Sequence, residues 1–412
     1  MSIFLIIFSL FISDCRAGLP EALEFLVKQK GADGYLVEVD PNVFSKHLKE
    51  YNSAQEFVKH HFETQIFHLQ PVMGGSSGTD VYDIKEVDGV SSIGVLKVFR
   101  SYSNFAEALI AQNMLDGLKL KEFKHVSLFD IGKTTQEGRP MILEESARGK
   151  TIQGWIADVA GQNDMSLRAE KQRHLVEAVR KVALALSELH SKGEGISESS
   201  AWRRVYFDHL ITKINLLGPF LPCLTELTES MGAMHAGLKT RKFDPQDMLS
   251  VAHDRGEQCA QNSMKVGVLI HGDTAPANML FDEKTEVLTF IDNGTLSRSL
   301  NRENRTHANP SFDTANFLRK VRADGMAYGL EIEEIEELEG VFLRTYQFQG
   351  KPLDPNEPCY QYYSWFSSLT SWVRSFIGFS RLDITISDKE IYRNGILRRM
   401  EEIGKFLNPK SN

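Results

Sequence analysis

The sequence has few cysteines, and their spacing matches no common framework. Four cysteines occur in 412 residues. Cys15 lies within the first 17 residues, and without it Cys223, Cys259 and Cys359 form an odd and widely spaced set. Such a set fits neither a disulfide framework nor a zinc site, so we expect buried free thiols.

The sequence also lacks an excess of basic residues. Lysine and arginine together number 47, against 55 aspartates and glutamates, which gives a formal net charge of -8. A molecule of this charge has no general attraction for phosphate backbones, so nucleic acid is not an expected partner. A small or polycationic substrate remains open.

The apolar run at the N-terminus is too short to span a membrane. It covers residues 3–12, and the small residues Cys15 and Ala17 follow it. This pattern is typical of a secretory signal, here residues 1–17, and indicates a secreted or periplasmic protein without a stable membrane span. No Lys or Arg precedes the run. The alternative is a buried N-terminal helix in a cytoplasmic protein.

Internal repeats and low-complexity linkers are absent, and the length exceeds what one compact core usually holds. We expect two lobes. Residues 18–68 carry apolar side chains at helical spacing and predict a helical extension. Residues 69–147 contain short β-like runs broken by glycine, with one helix over residues 105–118. Residues 148–412 are mostly helical, so the predicted fold is α+β and bilobal, with a small antiparallel-sheet N-lobe and a helical C-lobe.

The densest chemical signal is a loop with an acidic residue and an amide at fixed spacing. His271, Gly272 and Asp273 are followed five residues later by Asn278, and Asp292 opens the next loop after a pair of β-like runs. In kinase chemistry such residues contact the attacking hydroxyl and hold Mg²⁺ against the phosphates. We therefore predict Asp273 as the catalytic residue and Asn278 and Asp292 as metal ligands. A plain turn between strands is the alternative.

These residues give the chain a specific resemblance. The His-Gly-Asp of residues 271–273 resembles the loop of the aminoglycoside phosphotransferase and choline kinase family, a branch of the protein-kinase-like fold. The resemblance covers about residues 69–315. It implies ATP or GTP as phosphoryl donor, Mg²⁺ as cofactor, and a small-molecule hydroxyl as acceptor. Residues 193–264 match nothing in the family, so the acceptor's identity and the oligomeric state stay open.

Two upstream segments resemble the family's phosphate-binding parts. The glycine-rich segment with Gly75, Ser76 and Ser77 resembles a flexible phosphate-binding hairpin, with an ordinary turn as the alternative. Lys97 lies on an apolar strand and resembles the phosphate-binding lysine. Glu107, in the following helix, is the expected partner of Lys97. The alternative is a solvent-reaching lysine on an edge strand.

Further expectations concern the nucleotide base and the support of the loop. The segment with Glu145 and Ala147 resembles the hinge that pairs with the adenine edge, with an interlobe linker as the alternative. Asp313 matches an aspartate that supports the catalytic loop, or it is a plain helix N-cap. The aromatic segment 359–379 is expected to pack in the core, with a cage for a quaternary ammonium as the alternative.

Three functional hypotheses follow. The first is an active small-molecule kinase. The second is a non-catalytic nucleotide-binding or scaffold pseudokinase. The third is an exported protein kinase-like effector, against which stand the His-Gly-Asp sequence and the absence of an Ala-Pro-Glu motif after Asp292.

Overall fold

The computed structural model describes residues 46, 48–62, 67–72, 79–86, 91–192, 245–262, 267–299 and 308–380. The predicted signal segment, most of the helical extension, and the glycine-rich segment with Gly75, Ser76 and Ser77 lie outside these residues. The chain divides into two compact units. Unit 1 comprises the described parts of Met1–Arg148 and Thr289–Asn304, and unit 2 those of Gly149–Leu288 and Arg305–Asn412. The segment that carries Asp292 thus belongs to unit 1, whereas the sequence had placed it in the helical lobe.

Unit 1 is built on a sheet of six strands in the order β1-β6-β7-β4-β3-β2. All its pairs are antiparallel except β1 with β6, which is parallel. The strands are β1 (Glu50–Tyr51), β2 (Phe67–Pro71), β3 (Thr79–Glu86), β4 (Ser92–Phe99), β6 (Leu128–Thr134) and β7 (Pro140–Glu144). The helices are α1 (Ala54–His61) and α2 (Tyr102–Gly117).

The sheet buries both faces because apolar residues occur at successive positions along its strands. Ile142 belongs to a core cluster with Phe105 and Leu109 of α2, whereas its neighbours Met141 and Leu143 belong to a second cluster. The second cluster contains the buried α1 residues Phe57 and Val58. Since successive side chains on a strand point to opposite faces, α2 covers one face and α1 the other.

One expectation for the extension is wrong. Tyr51 was assigned to a helical pattern, but it lies in β1 and pairs with Thr134 of β6. Its ring is buried in the α1 cluster, so tertiary pairing overrides the local periodicity. The helix that follows begins after Ser53, whose side chain accepts the N–H of Glu56 at 3.1 Å.

Unit 1 is completed by the segment from Thr289 onward. Strand β5 (Lys124–His125) pairs in parallel with the end of β10 (Val287–Phe290), where Thr289 is opposite Lys124. The rings of Phe123 and Phe290 stack at 4.3 Å between centroids. The 3₁₀ helix Asn293–Ser299 then packs against α2, with Gly294 beside Ala108.

Unit 2 is mostly helical in its described part. Its helices are α3 (Ile152–Ala160), α4 (Met165–Ser191), α5 (Pro245–Asn262), α6 (Pro310–Tyr328), α7 (Ile332–Thr345) and α8 (Pro358–Ser380). Helix α6 packs against α8, α4 against α7 and α3, and α5 against α8. The strands are β8 (Lys150–Thr151), β9 (Met279–Asp282), β11 (Gln347–Phe348) and β12 (Lys351–Pro352). None of the helices described in either unit has the length and apolar character that crossing a bilayer requires.

The expectation of free thiols is wrong for two cysteines. Cys259 of α5 and Cys359 of α8 form a disulfide, with their Cα atoms 4.6 Å apart. Both are buried. They stand 100 residues apart in sequence, and only the packing of α5 on α8 brings them together. Cys15 and Cys223 lie outside the described residues.

Candidate active site

The Asp273 loop in unit 2 is held by a buried aspartate from α6. The two carboxylate oxygens of Asp313 accept the backbone N–H groups of His271, at 2.7 Å, and Gly272, at 2.9 Å. Gly272 has φ of +80°, a left-handed conformation that favours glycine. The predicted support of the loop by Asp313 is confirmed. The N-cap of α6 is instead Asn309, whose side chain accepts the N–H of Ser311.

A polar network without solvent access surrounds Asp313. The Nε2 atom of His190 lies 3.3 Å from Asp313 Oδ2, and its Nδ1 atom lies 2.7 Å from the hydroxyl of Tyr346. Burial, followed by the charge of Asp313, raises the pKa of Tyr346 well above its ordinary value. The hydroxyl of Thr274 donates to the Asp313 carbonyl at 2.9 Å. Several buried groups thus fix one short loop.

Asp273 and Asn278 are brought together as the spacing predicted. The amide nitrogen of Asn278 donates to Asp273 Oδ2 at 3.1 Å and to the Asp273 carbonyl at 3.0 Å. Asn278 closes the 3₁₀ turn Pro276–Asn278, which returns its side chain toward the loop. Because the nitrogen is engaged, the Oδ1 atom of Asn278 is the one suited to a metal ion.

Sequence reasoning missed Lys320, which contacts the predicted catalytic residue. Its Nζ atom lies 2.8 Å from Asp273 Oδ1, and its side chain is largely buried. Lys320 follows Asp313 by seven residues on the same helix, which places both on one face two turns apart. That periodicity is the signal from which Lys320 could have been found.

In unit 1, Lys97 has a different partner from the expected one. Its ammonium lies 3.0 and 3.3 Å from the two carboxylate oxygens of Glu144. Burial alone lowers the pKa of Lys97, but the charges of Glu144 and then Asp292 outweigh it, so that the pKa is raised. Lys97 is therefore expected to stay protonated, and the charge of Asp292 contributes to this.

The predicted Lys97–Glu107 pair is wrong in this structure. Both carboxylate oxygens of Glu107 bind the guanidinium of Arg298, at 3.0 and 3.3 Å. Arg298 lies in the 3₁₀ helix that packs against α2. A planar guanidinium holds a carboxylate in this two-pronged way better than an ammonium does.

Asp292 suits a metal in exposure and chemistry. It lies two residues after the buried end of β10, its side chain is exposed, and its φ of +57° is rare outside glycine. Such strain at a polar residue is typical of functional sites. Within the described residues, no group of three His, Cys, Asp or Glu side chains could hold a metal. The single carboxylate of Asp292 is an oxygen ligand of the kind that Mg²⁺ accepts.

The predicted hinge residues follow β7, and one of their backbone groups is already engaged. The N–H of Glu145 donates to the Ser127 carbonyl at 2.8 Å. Residues 145–148 lie outside the strands. The Glu145 carbonyl and the Ala147 N–H are therefore the groups in this segment suited to a base edge. Their role at the base stays a prediction.

The aromatic residues described in α8 pack in the core of unit 2. They are 1–7% exposed, and several rings meet at tilted or edge-on angles. The residues are Tyr360, Tyr362, Tyr363, Trp365 and Phe366. A cage for a quaternary ammonium needs open ring faces, so this set favours the packing interpretation. The side chains of Trp372, Phe376 and Phe379 lie outside the description.

The sequence matches no family model and no curated protein. Among solved structures, the chain is similar to a thermostable mutant of aminoglycoside phosphotransferase APH(4)-Ia in its apo form. The TM-score is 0.50 and the identity 13%, over 87% of this chain and 100% of that one.

The chain has the fold of an aminoglycoside phosphotransferase.

The α+β class and the resemblance predicted from residues 271–292 are confirmed at the level of this protein-kinase-like fold. The chain is also similar to the microcompartment-associated aminopropanol kinase, with TM-score 0.46, 11% identity, and coverage of 84% of this chain and 98% of that one. It is similar as well to a Plasmodium vivax ethanolamine kinase, with TM-score 0.39, 14% identity, and coverage of 82% of this chain and 83% of that one. These two lower scores add nothing to the assignment.

Proposed function

We propose that the protein is a phosphotransferase that moves the γ-phosphoryl of ATP or GTP onto a hydroxyl of a small molecule. The observation that carries the proposal is the loop at Asp273. Its carboxylate is oriented by Asn278 and Lys320, while Asp313 fixes the loop backbone. A loop held this rigidly is what a reaction that depends on positioning requires.

Asp273 would act on the acceptor. Its carboxylate accepts a hydrogen bond from the attacking hydroxyl and so aims that oxygen at the γ-phosphorus. One P–O bond forms to the acceptor oxygen as the bond to the β–γ bridging oxygen breaks. The hydroxyl proton passes to Asp273, and the nucleoside diphosphate leaves.

Lys97, Asn278 and Asp292 would act on the donor. The Lys97 ammonium contacts the phosphates, and the oxygens of Asn278 and Asp292 serve as metal ligands. Bound Mg²⁺ would neutralise charge on the β- and γ-phosphate oxygens. Glu145 and Ala147 would present backbone groups to the base.

We further propose that the protein works in an oxidising compartment, as a secreted or periplasmic protein. The buried Cys259–Cys359 disulfide supports this, because disulfides persist where thiols are not kept reduced. The apolar N-terminal run supports it independently. A cytoplasmic protein is the alternative, and mass spectrometry of the mature N-terminus distinguishes the two.

The acceptor class is tested by product formation across a panel. ATP and Mg²⁺ are supplied with amino alcohols, aminoglycosides, sugars, neutral diols or a generic protein, and phosphorylated product is detected by mass spectrometry. We expect product with one small-molecule class and none with protein. Product on protein alone would support the effector hypothesis. ATP binding without product from any acceptor would support the pseudokinase.

A further inference from the structure

We propose that Glu144, and not the helix residue Glu107, is the positioning residue for the Lys97 ammonium in nucleotide binding. The proposal rests on the proposed function, because it assumes that Lys97 contacts phosphates. The sheet then positions the lysine, which the family resemblance had led us to expect of helix α2.

The sheet register places Lys97 and Glu144 side by side. In the antiparallel pair of β4 with β7, Val95 is opposite Glu144 and Lys97 is opposite Ile142. Lys97 and Glu144 are therefore diagonal neighbours on one face, a relation within reach of long side chains. Both are largely buried, with 15% and 11% of their side chains exposed. The contact joins the ammonium to both oxygens of the carboxylate.

Glu107 already binds another side chain, that of Arg298. It lies on α2, which covers the same face of the sheet, yet both of its oxygens bind Arg298. Two parallel hydrogen bonds fix the direction of the carboxylate as well as its position. For Glu107 to reach Lys97, this contact would have to break.

A pair between neighbouring strands is fixed by the backbone ladder that joins them. Lys97 and Glu144 keep their separation as long as β4 and β7 stay paired, whatever the position of α2. The lysine is thus preorganised before nucleotide arrives, and binding need not order it. The charge of Asp292 also favours the protonated form of Lys97.

The test is a titration calorimetry comparison of ATP with adenosine, in the presence of Mg²⁺. Glu144→Gln removes the charge at nearly constant shape and is expected to weaken ATP binding about tenfold or more while adenosine binding changes about threefold or less. Glu107→Gln is the matched comparison and is expected to change ATP affinity about threefold or less. Glu144→Asp keeps the charge and is expected to restore part of the loss.

A second comparison, made in the Lys97→Met variant, distinguishes positioning of the lysine from a merely structural effect of Glu144. In Lys97→Met, adding Glu144→Gln is expected to leave the ratio of ATP to adenosine affinity unchanged, because Glu144 acts through Lys97. Equal ATP affinity in wild type and Glu144→Gln, or a larger loss in Glu107→Gln, would overturn the inference alone. Wild type that binds neither ATP nor ADP would overturn the proposed function, and the inference with it.

Discussion

The two units hold their polar groups in different ways. In unit 2, the loop before Asp273 is fixed by backbone N–H groups that donate to Asp313, inside a network that excludes water. In unit 1, Lys97 is fixed by one carboxylate on a neighbouring strand. The position of the Asp273 loop therefore depends on the buried charge of Asp313. The position of the Lys97 ammonium depends on the register of β4 with β7. Substitutions in the two units should therefore differ in what they damage.

The largest effect on stability is expected at Asp313. Asp313→Ala leaves two backbone donors without a carboxylate, together with His190, in a buried site. We expect a loss of about 3–5 kcal/mol in the free energy of unfolding, measured by urea denaturation. Activity of the folded fraction should fall by about a hundredfold or more, because the loop is misplaced. Asp282→Asn, at the end of β9, is the control, and an equal loss there would contradict the account.

The next effect concerns the disulfide of unit 2. Reduction, or the double change of Cys259 and Cys359 to serine, removes a link that closes a loop of 100 residues. We expect a loss of about 2–5 kcal/mol, seen as a lower melting temperature in the presence of reductant. The double-serine variant should not respond to reductant. Titration of two further thiols in unreduced, unfolded protein would show that the bond is absent.

Lys320→Met is expected to damage chemistry more than stability. The ammonium holds one oxygen of Asp273, and its loss lets the carboxylate rotate away from the acceptor. We expect kcat/KM to fall about ten- to a hundredfold, a loss of about 1.4–2.7 kcal/mol. Lys320→Arg should keep part of the rate. Lys284→Met, on an exposed turn, is the control. An unchanged rate in Lys320→Met would remove Lys320 from the site.

The contacts of Asp273 and Lys97 differ in how far the sequence alone could predict them. Asp273 and Asn278 stand five residues apart, so their contact is local and the motif alone indicates it. The partner of Lys97 is decided by competition in three dimensions, where Arg298 takes Glu107 and leaves Glu144 to the lysine. No local pattern contains that competition.

The secondary structure and the disulfide show the same difference between local patterns and distant contacts. Strand β4 lies in the region where the sequence predicted β-like runs, and helix α4 in the region that it predicted to be mostly helical. Tyr51 was misassigned because a two-residue strand is too short to show a period. The Cys259–Cys359 bond was missed because two helices distant in sequence must first pack together.

The smallest effect is expected in unit 1, at Arg298. Arg298→Met breaks a partly exposed ion pair with Glu107, and such pairs contribute about 0–1 kcal/mol to stability. The melting temperature should therefore change little, and ATP affinity should stay near that of wild type because Lys97 keeps Glu144. A loss of ATP affinity as large as that of Glu144→Gln would show that α2 positions the lysine after all.

The central claim is that Asp273 is needed for phosphoryl transfer but not for nucleotide binding. Its most direct test is to measure, on the same samples of wild type and Asp273→Asn, both the affinity for ATP with Mg²⁺ and the rate of transfer to the best acceptor. The account predicts a rate lower by about a thousandfold or more, with ATP affinity within about threefold. Equal rates in the two proteins would contradict it.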